Sequence, residues 1–533
     1  MGPSELPSPL SGPLSGPLSG EALKALRQRS LERLLGFLTP QDRAAVRCSA
    51  ERLHRLLRER NATDGGNVLV GYGGGKDSSY TLAFVRAVQL TAAREHGWLF
   101  TLRAATNRHS GMPRAVMENI DRAYTALGMH QDPACELLLI DGDAVQSFRA
   151  DAPPSEQVAA RNRIDILMTG HRTRADARPT FCNACNLSMA NAFGVAAAHG
   201  DGVDVIITGD SREEQRAYAM WISRLSRQVS RGEPAGRTPG FPRLLGALDG
   251  IAQAYFRDIH GPDAQATVAE HGVHTDVSPQ LEFFSIYGET AYDAGSHWDL
   301  LTRHLGFVFD DLAFSFTESD CANPALMAHL RGLKCQYVFG RSYQEGLEEY
   351  VGFALRMMRR KEFPQRLIDQ MAARYAGSDA HTVMRSRMND FAQDAYGLGE
   401  RQLVCMVYSP FTARGAHLRG YLASRHPELA GEEAAIHALL GQEKDEEREQ
   451  ETDEGNRAGR TSSDELAVLL EHLSGLDLGR LRVLYHSELT DQVPRGPVPV
   501  LLESILEGDP HKERIRTRHS PDGPEVTETL SGR

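Results

Sequence analysis

Residues 67–79 read Asn-Val-Leu-Val-Gly-Tyr-Gly-Gly-Gly-Lys-Asp-Ser-Ser, an apolar run that passes through three successive glycines into an amphipathic stretch. The pattern predicts a strand, a glycine-rich loop and a helix. Glycines at Gly73, Gly74 and Gly75 let backbone N–H groups approach an anion where a Cβ would intrude, and the helix adds its positive N-terminal end. The natural ligand of such a loop is a nucleotide phosphate.

Two familiar phosphate loops make demands that these residues do not meet. A Walker A loop needs Ser or Thr directly after its lysine, and Asp77 follows Lys76. A dinucleotide fingerprint starting at Gly71 would need its third glycine where Lys76 stands. What remains, Gly73-Gly74-Gly75-Lys76-Asp77-Ser78, resembles the Ser-Gly-Gly-x-Asp-Ser signature of the PP-loop ATP pyrophosphatases, the group containing tRNA thiolases, tRNA lysidine synthetase and sugar amidotransferases. Gly73 replaces the first serine, which removes one hydroxyl donor and leaves the amide donors in place. The bland alternative is a glycine turn in a doubly wound sheet; the strand, Asp77 and Ser78 standing in register favour the phosphate loop.

Length and charge narrow the setting. A chain of 533 residues suggests about three domains. The net charge of -12 gives no global attraction to nucleic acid, so RNA is a partner only through a local basic patch. No apolar run is long enough to span a membrane, and no basic region followed by an apolar core opens the chain, so a cytoplasmic location is expected. Seven cysteines, an odd number, argue against a disulfide framework and for free thiols or metal ligands.

Pro-Leu-Ser-Gly occurs three times before residue 21, so residues 1–20 read as a disordered lead. Leucine periodicity makes 21–64 a helical extension broken at Thr39-Pro40. Apolar strands then alternate with amphipathic segments, with strands expected at 98–105, 136–140 and 204–208 and a helix at 117–127. This is the mark of an α/β fold with a doubly wound parallel sheet, whose strands place ligand contacts along one carboxyl edge. The resemblance implies the HUP or PP-loop type of that fold over residues 65–340. A mainly helical extension follows at 341–440, with helices at 343–361 and 363–375 and a strand-like stretch at 402–408. Residues 441–462 read as an acidic linker, and 463–533 as a small C-terminal segment with leucine periodicity to 486 and a disordered tail from about 512.

After the fourth strand comes Gly209-Asp210-Ser211-Arg212-Glu213-Glu214. It resembles the Gly-His-x-x-Asp-Asp of the tRNA 2-thiocytidine thiolases, with Asp210 in the place of the histidine, which shifts its role from touching phosphate toward holding magnesium. The same residues also suit a capped helix start. Cys182 and Cys185 form a Cys-x-x-Cys, which alone is redox-active, half a zinc site, or two cysteines near a helix end. Thiolases of this kind carry the pair at the same point and a third cysteine in a later turn, here Cys321. The resemblance therefore implies Cys182, Cys185 and Cys321 as ligands of a [4Fe-4S] cluster with one open iron. With Cys335 as a fourth ligand, Zn2+ becomes the better choice. Cys48, Cys135 and Cys405 lie in apolar patterns and read as buried thiols. Basic residues at 356–361 form either an RNA-phosphate patch or a solvated helix face, and those at 161–178 either reach a polyanion or belong to a mobile loop.

The resemblance implies ATP held by Gly73, Gly74, Gly75, Ser78 and Ser79, with Gly209 and Asp210 at the same edge, Lys76 nearby and Asp77 toward Mg2+. Lys76, Asp77, Cys182 and Cys185 are the expected catalytic residues. A carbonyl or carboxyl oxygen of the acceptor attacks the α-phosphorus, and a nucleophile then displaces AMP. Sulfur, from a small donor or a partner protein, gives a thiocarbonyl on a nucleobase or small metabolite. Ammonia or an amine makes the chain an amidotransferase or ligase with a structural zinc. A third reading is a degenerate nucleotide sensor that binds a partner protein.

Overall fold

The helical break expected at Thr39-Pro40 is a helix start. Two helices, α1 (Gly20–Phe37) and α2 (Pro40–Glu59), precede the sheet. The computed structural model describes residues 18–60, 65–175, 177–209, 212–229, 240–286, 297–308, 323–360, 363–377, 379–442, 462–490, 501–507 and 512–531. Of the Pro-Leu-Ser-Gly lead, only Leu18, Ser19 and Gly20 lie within them, and Ser19 caps α1. At α2, Thr39 and Asp42 close a reciprocal capping box with Pro40 in the first turn. Asp42 has further partners. Its Oδ1 accepts from the Tyr80 hydroxyl at 3.2 Å and its Oδ2 lies 3.2 Å from His297 Nε2. Burial alone would raise this carboxyl, but the bonds from His297 and Thr39 outweigh it and hold it below the usual carboxylate range.

The chain then runs β1 (Asn67–Gly71), α3 (Lys76–His96), β2 (Thr101–Asn107), α4 (Arg114–Ala126), β3 (Cys135–Asp141) and β4 (Ala144–Ser147). Helices α5 (Glu156–Thr173) and α6 (Ala177–Ala198) lead to β5 (Val205–Ile207), and α7 (Arg212–Val229), α8 (Phe241–His260) and α9 (Gln265–Glu270) lead to β6 (Glu282–Phe283). The six strands stand in the order β4-β3-β2-β1-β5-β6, all neighbours parallel except β4 against β3. Strands β1 to β3 step outward in one direction, and β5 then returns to the other side of β1. Such an order is compatible with a Rossmann-like wound sheet, in which ligands bind outside the carboxyl ends where the direction reverses. Here that point lies between β1 and β5.

Helices cover both faces. Arg103 of β2 donates to the carbonyls of Ala196 and His199, each at 2.9 Å, and Asn107 donates to Ser188 at 3.2 Å, so the odd positions of β2 face α6. Gly71 of β1 shares that face, and a Cβ there would stand 2.3 Å from the Phe193 ring. On the other face Gln89 of α3 donates to the Phe100 carbonyl at 2.7 Å. Below α3, buried Asp132 accepts from Arg86 at 2.9 Å and from Arg27 at 2.6 Å, tying α1 to the sheet layer.

The remaining helices include Asn323–Leu333, Tyr343–Arg360, Gln365–Arg374, Ala380–Tyr396, Glu400–Tyr408, Ser463–Ser474 and Leu478–His486. One of them corrects an expectation: residues 402–408 are helical, not a strand. Leu403 to Tyr408 are all buried, and a helix covered on every side has no polar face to reveal its period. The tail also departs from expectation, because Lys512–Arg518 (β7) and Glu525–Ser531 (β8) pair as an antiparallel hairpin. It is tied by charge. Arg331 donates to Glu349 at 2.8 Å and to Glu528 at 2.6 Å, and Arg341 donates to Glu349 at 2.9 Å and to Thr517 at 2.8 Å. Hydropathy is blind to such an anchor. The acid-rich run at 443–454 lies outside the described residues. Among those described, no helix is long and apolar enough to cross a membrane.

Candidate functional site

The glycine-rich loop leaves β1 pinned to its neighbour. The Tyr72 amide donates to the Ala105 carbonyl at 2.8 Å, and the Tyr72 carbonyl accepts from Thr106 Oγ1 at 2.7 Å. Gly74 then takes a φ of +78°, and a Cβ there would stand 2.8 Å from Ile120 Cγ1, so both backbone and space require glycine. Gly75 caps α3 without any side-chain hydrogen bond, whereas Thr39 and Ser155 supply one to α2 and α5. Lys76, Asp77 and Ser79 are nonetheless buried. A buried helix start without a side-chain cap is suited to a ligand anion as acceptor, and the helix dipole favours the negative charge.

Around that start the charged side chains are already engaged. Lys76 Nζ donates to Asp77 Oδ1 at 2.6 Å, with the two residues 5% and 8% exposed, and Nζ lies 5.9 Å from the centre of the Phe363 ring. Lys76 toward phosphate and Asp77 toward magnesium therefore both require this pair to open. Ser78 Oγ donates back to the Gly75 carbonyl at 3.1 Å. Ser79, expected at the nucleotide, turns inward, its Oγ 3.1 Å from the Tyr72 hydroxyl.

The second loop comes from β5. A Cβ on Gly209 would stand 3.0 Å from the N and Cα of Ser78 and 3.2 Å from the carbonyl carbon of Asp77, so the β5 loop rests on the first turn of α3. The expected neighbours Gly73, Gly74, Gly75, Lys76, Asp77, Ser78 and Gly209 thus share the carboxyl edge between β1 and β5. Asp210 lies outside the described residues.

The expected cysteine site is described only in part. Cys182 and Cys185 lie one turn apart within α6, not at its start, and Cys185 is half-buried. The Cys182 side chain and all of Cys321 lie outside the description. Cys335 is buried beside Arg331, Arg341 and Glu349, and burial pushes its thiol up to about 11. Cys405 is buried as expected and Cys135 is half-buried, and desolvation pushes both thiols up to about 12. Cys48 does not: it is exposed, because α2 turns Val46, Ala50 and Leu53 inward instead.

Members of both basic stretches are engaged by the protein itself. Residues up to Thr173 of the 161–178 stretch belong to α5, not a mobile loop, and Arg172 pairs with Asp258 at 3.2 Å. Arg356 and Arg360 donate to Glu513 of β7 at 2.7 and 3.2 Å. Among the described residues, the metal-type donors that converge in a group of three are Asp165, His260 and His271, which sequence reading did not single out. They stand on α5, at the end of α8 and just after α9, and no local spacing connects them.

In comparison with known proteins, no protein-family model matches this chain and no curated protein matches it. What defines its class is the α/β architecture itself, a mostly parallel six-stranded sheet with a glycine-rich loop after a central strand.

Proposed function

We propose that the chain is an ATP-dependent adenylating enzyme of the PP-loop, HUP-type group, which converts ATP to AMP and pyrophosphate while activating a carbonyl or carboxyl oxygen. The observation that carries this reading is the buried, side-chain-free N-terminus of α3 with the β5 loop seated on its first turn. In this reading the backbone amides of 73–78 serve the charge that builds on departing pyrophosphate, and fixed dipoles in a water-poor site stabilise it without reorganising. Opening of the Lys76–Asp77 pair frees Lys76 to face phosphate and Asp77 to face the Mg2+ that accompanies ATP. The acceptor oxygen attacks the α-phosphorus, the bond from that phosphorus to the α,β-bridging oxygen breaks and releases pyrophosphate, and AMP becomes the leaving group for the incoming nucleophile.

Sulfur is the nucleophile we favour, with the acceptor a nucleobase or small metabolite and the reaction cytoplasmic. Two cysteines one turn apart on α6 suit the first two ligands of a metal centre. Held by Cys182, Cys185 and Cys321, a [4Fe-4S] cluster would supply an open iron for sulfide, whereas Zn2+ would leave the thiols structural. A brown anaerobic preparation supports the first, and a colourless zinc protein the second.

A second reading rests on the Lys76–Asp77 contact, which neutralises the loop's own charges: a nucleotide sensor that binds ATP and releases nothing. Pyrophosphate release across a panel of acceptors, with Lys76→Ala and Asp77→Ala as controls, decides. Acceptor-dependent AMP formation lost in both variants supports the enzyme; ATP binding without turnover supports the sensor; ADP as product removes the adenylation chemistry.

A further inference from the structure

We propose that Asp165, His260 and His271 hold a divalent transition-metal ion, zinc by preference, at a buried site that uses neither the glycine loop nor the α6 cysteines. Asp165 Oδ1 lies 2.9 Å from His260 Nε2, and Asp165 Oδ2 lies 2.9 Å from His271 Nε2. The side chains are 4%, 3% and 6% exposed respectively. Two imidazoles from different elements therefore aim the same ring nitrogen at one carboxylate.

Tautomers make the geometry informative. His271 Nδ1 is 2.6 Å from the Thr267 carbonyl, which can only accept, so Nδ1 carries the proton. Neutral His271 then points the Nε2 lone pair at a carboxylate oxygen, an arrangement of two acceptors. A positive charge resolves the conflict, either as a metal ion between them or as a proton that makes His271 an imidazolium. The ion accounts for more of the arrangement. An Nδ1–H bonded to a backbone carbonyl is the usual support of a metal-ligating histidine, and the convergence of a second Nε2 completes a two-histidine, one-carboxylate set. Imidazole donors select zinc-type ions over magnesium or calcium, and zinc stays divalent without a reductant.

Donors around a tetrahedral ion with bonds of about 2.0 Å stand about 3.3 Å apart, so the two Asp165–histidine separations need open only by a few tenths of an ångström, and the three donor atoms already lie within 4.8 Å of one another. Three protein ligands leave one position for water or a small anionic or thiol ligand. Arg257 and Pro262, close in sequence to His260, and Ala269 and Gly272, which flank His271, line a cleft of about 390 Å³. His260 Nδ1 is buried without a protein partner, so with Nε2 on the metal its proton calls for one ordered water. The site also has a place relative to the sheet. Asn162, one turn before Asp165, accepts the Ser110 amide at 3.2 Å, just beyond the carboxyl end of β2.

The test uses full-length protein with Cys182→Ser and Cys185→Ser, stripped by chelation and titrated with Zn2+ alone in a calorimeter. One ion per chain should bind, and adding His271→Ala should weaken it by more than the roughly 10–100-fold that loss of a supporting hydrogen bond costs. Zinc-edge absorption fine structure on the Cys182→Ser/Cys185→Ser protein should show two imidazoles in an all N/O shell. That measurement needs no histidine variant, so it decides even if His271→Ala does not fold. No uptake by the Cys182→Ser/Cys185→Ser protein, a shell without imidazole, or unchanged affinity in a folded His271→Ala protein overturns the proposal. Pyrophosphate release is not a readout here, so the outcome is independent of the adenylation reading.

Discussion

Gly209 lies against the backbone of Ser78 so closely that a methyl group on it would stand 3.0 Å from both N and Cα. The neighbouring atoms are main chain at the start of α3 and can yield only by moving the loop. Gly209→Ala is expected to lower kcat/KM for pyrophosphate release by about 100-fold, the scale of an ångström of misplacement at a reacting centre. Gly246, which has open space around it, provides the matched Gly→Ala control. Turnover unaffected at Gly209 would detach the β5 loop from the site.

Lys76 and Asp77 form a buried pair, and removing one member leaves the other charge buried. Asp77→Asn should cost about 3–5 kcal/mol by chemical denaturation, while Lys76→Met with Asp77→Asn should recover most of the loss. A single variant as stable as the parent would mean that Lys76 does not depend on this carboxylate.

Asp132 sets an acid limit. Burial opposes its ionisation, but the hydrogen bonds from Arg27 and the charge of Arg86 hold its carboxyl at about 2. A carboxyl lowered in the folded state stabilises fully above its unfolded value near 4, and that contribution disappears as pH falls toward 2. Asp132→Asn should therefore lower Tm at pH 7 and flatten the acid limb of the Tm-against-pH curve between about 4 and 2. An acid limb of unchanged slope would assign it to other carboxylates.

The C-terminal hairpin is held through Arg331, whose Nη1 reaches Glu528 at 2.6 Å. Glu528→Gln should cost about 1.5–3 kcal/mol, the range for a hydrogen bond to a charged group. Hydrogen exchange should then speed first in residues 512–531. Protection left intact there would show that backbone pairing alone holds the strands.

The parts legible from sequence were those whose signal is local. Val68 to Val70 are apolar and bounded by glycine, so the first strand and the helix start at Lys76 could be placed, and Thr39-Pro40 marked a helix boundary. Short β4 and β6 were missed because four and two residues carry too little pattern. The helix at Glu400–Tyr408 was misread because burial on all sides erases amphipathicity, and the hairpin because Arg331 and Glu528 are 197 residues apart. Asp165, His260 and His271 were invisible for the same reason as the hairpin. Only the fold brings residues 95 and 106 positions apart to one carboxylate.

The Asp42 carboxylate closes the first turn of α2 and at the same time receives Tyr80 of α3 and His297. An excised piece beginning at Asn67 would keep every glycine of the loop yet expose the rear of the helix that anchors it. Trimming for crystallisation should therefore retain everything from Ser19 onward, and a minimal fragment carrying the glycine loop has to include its two leading helices.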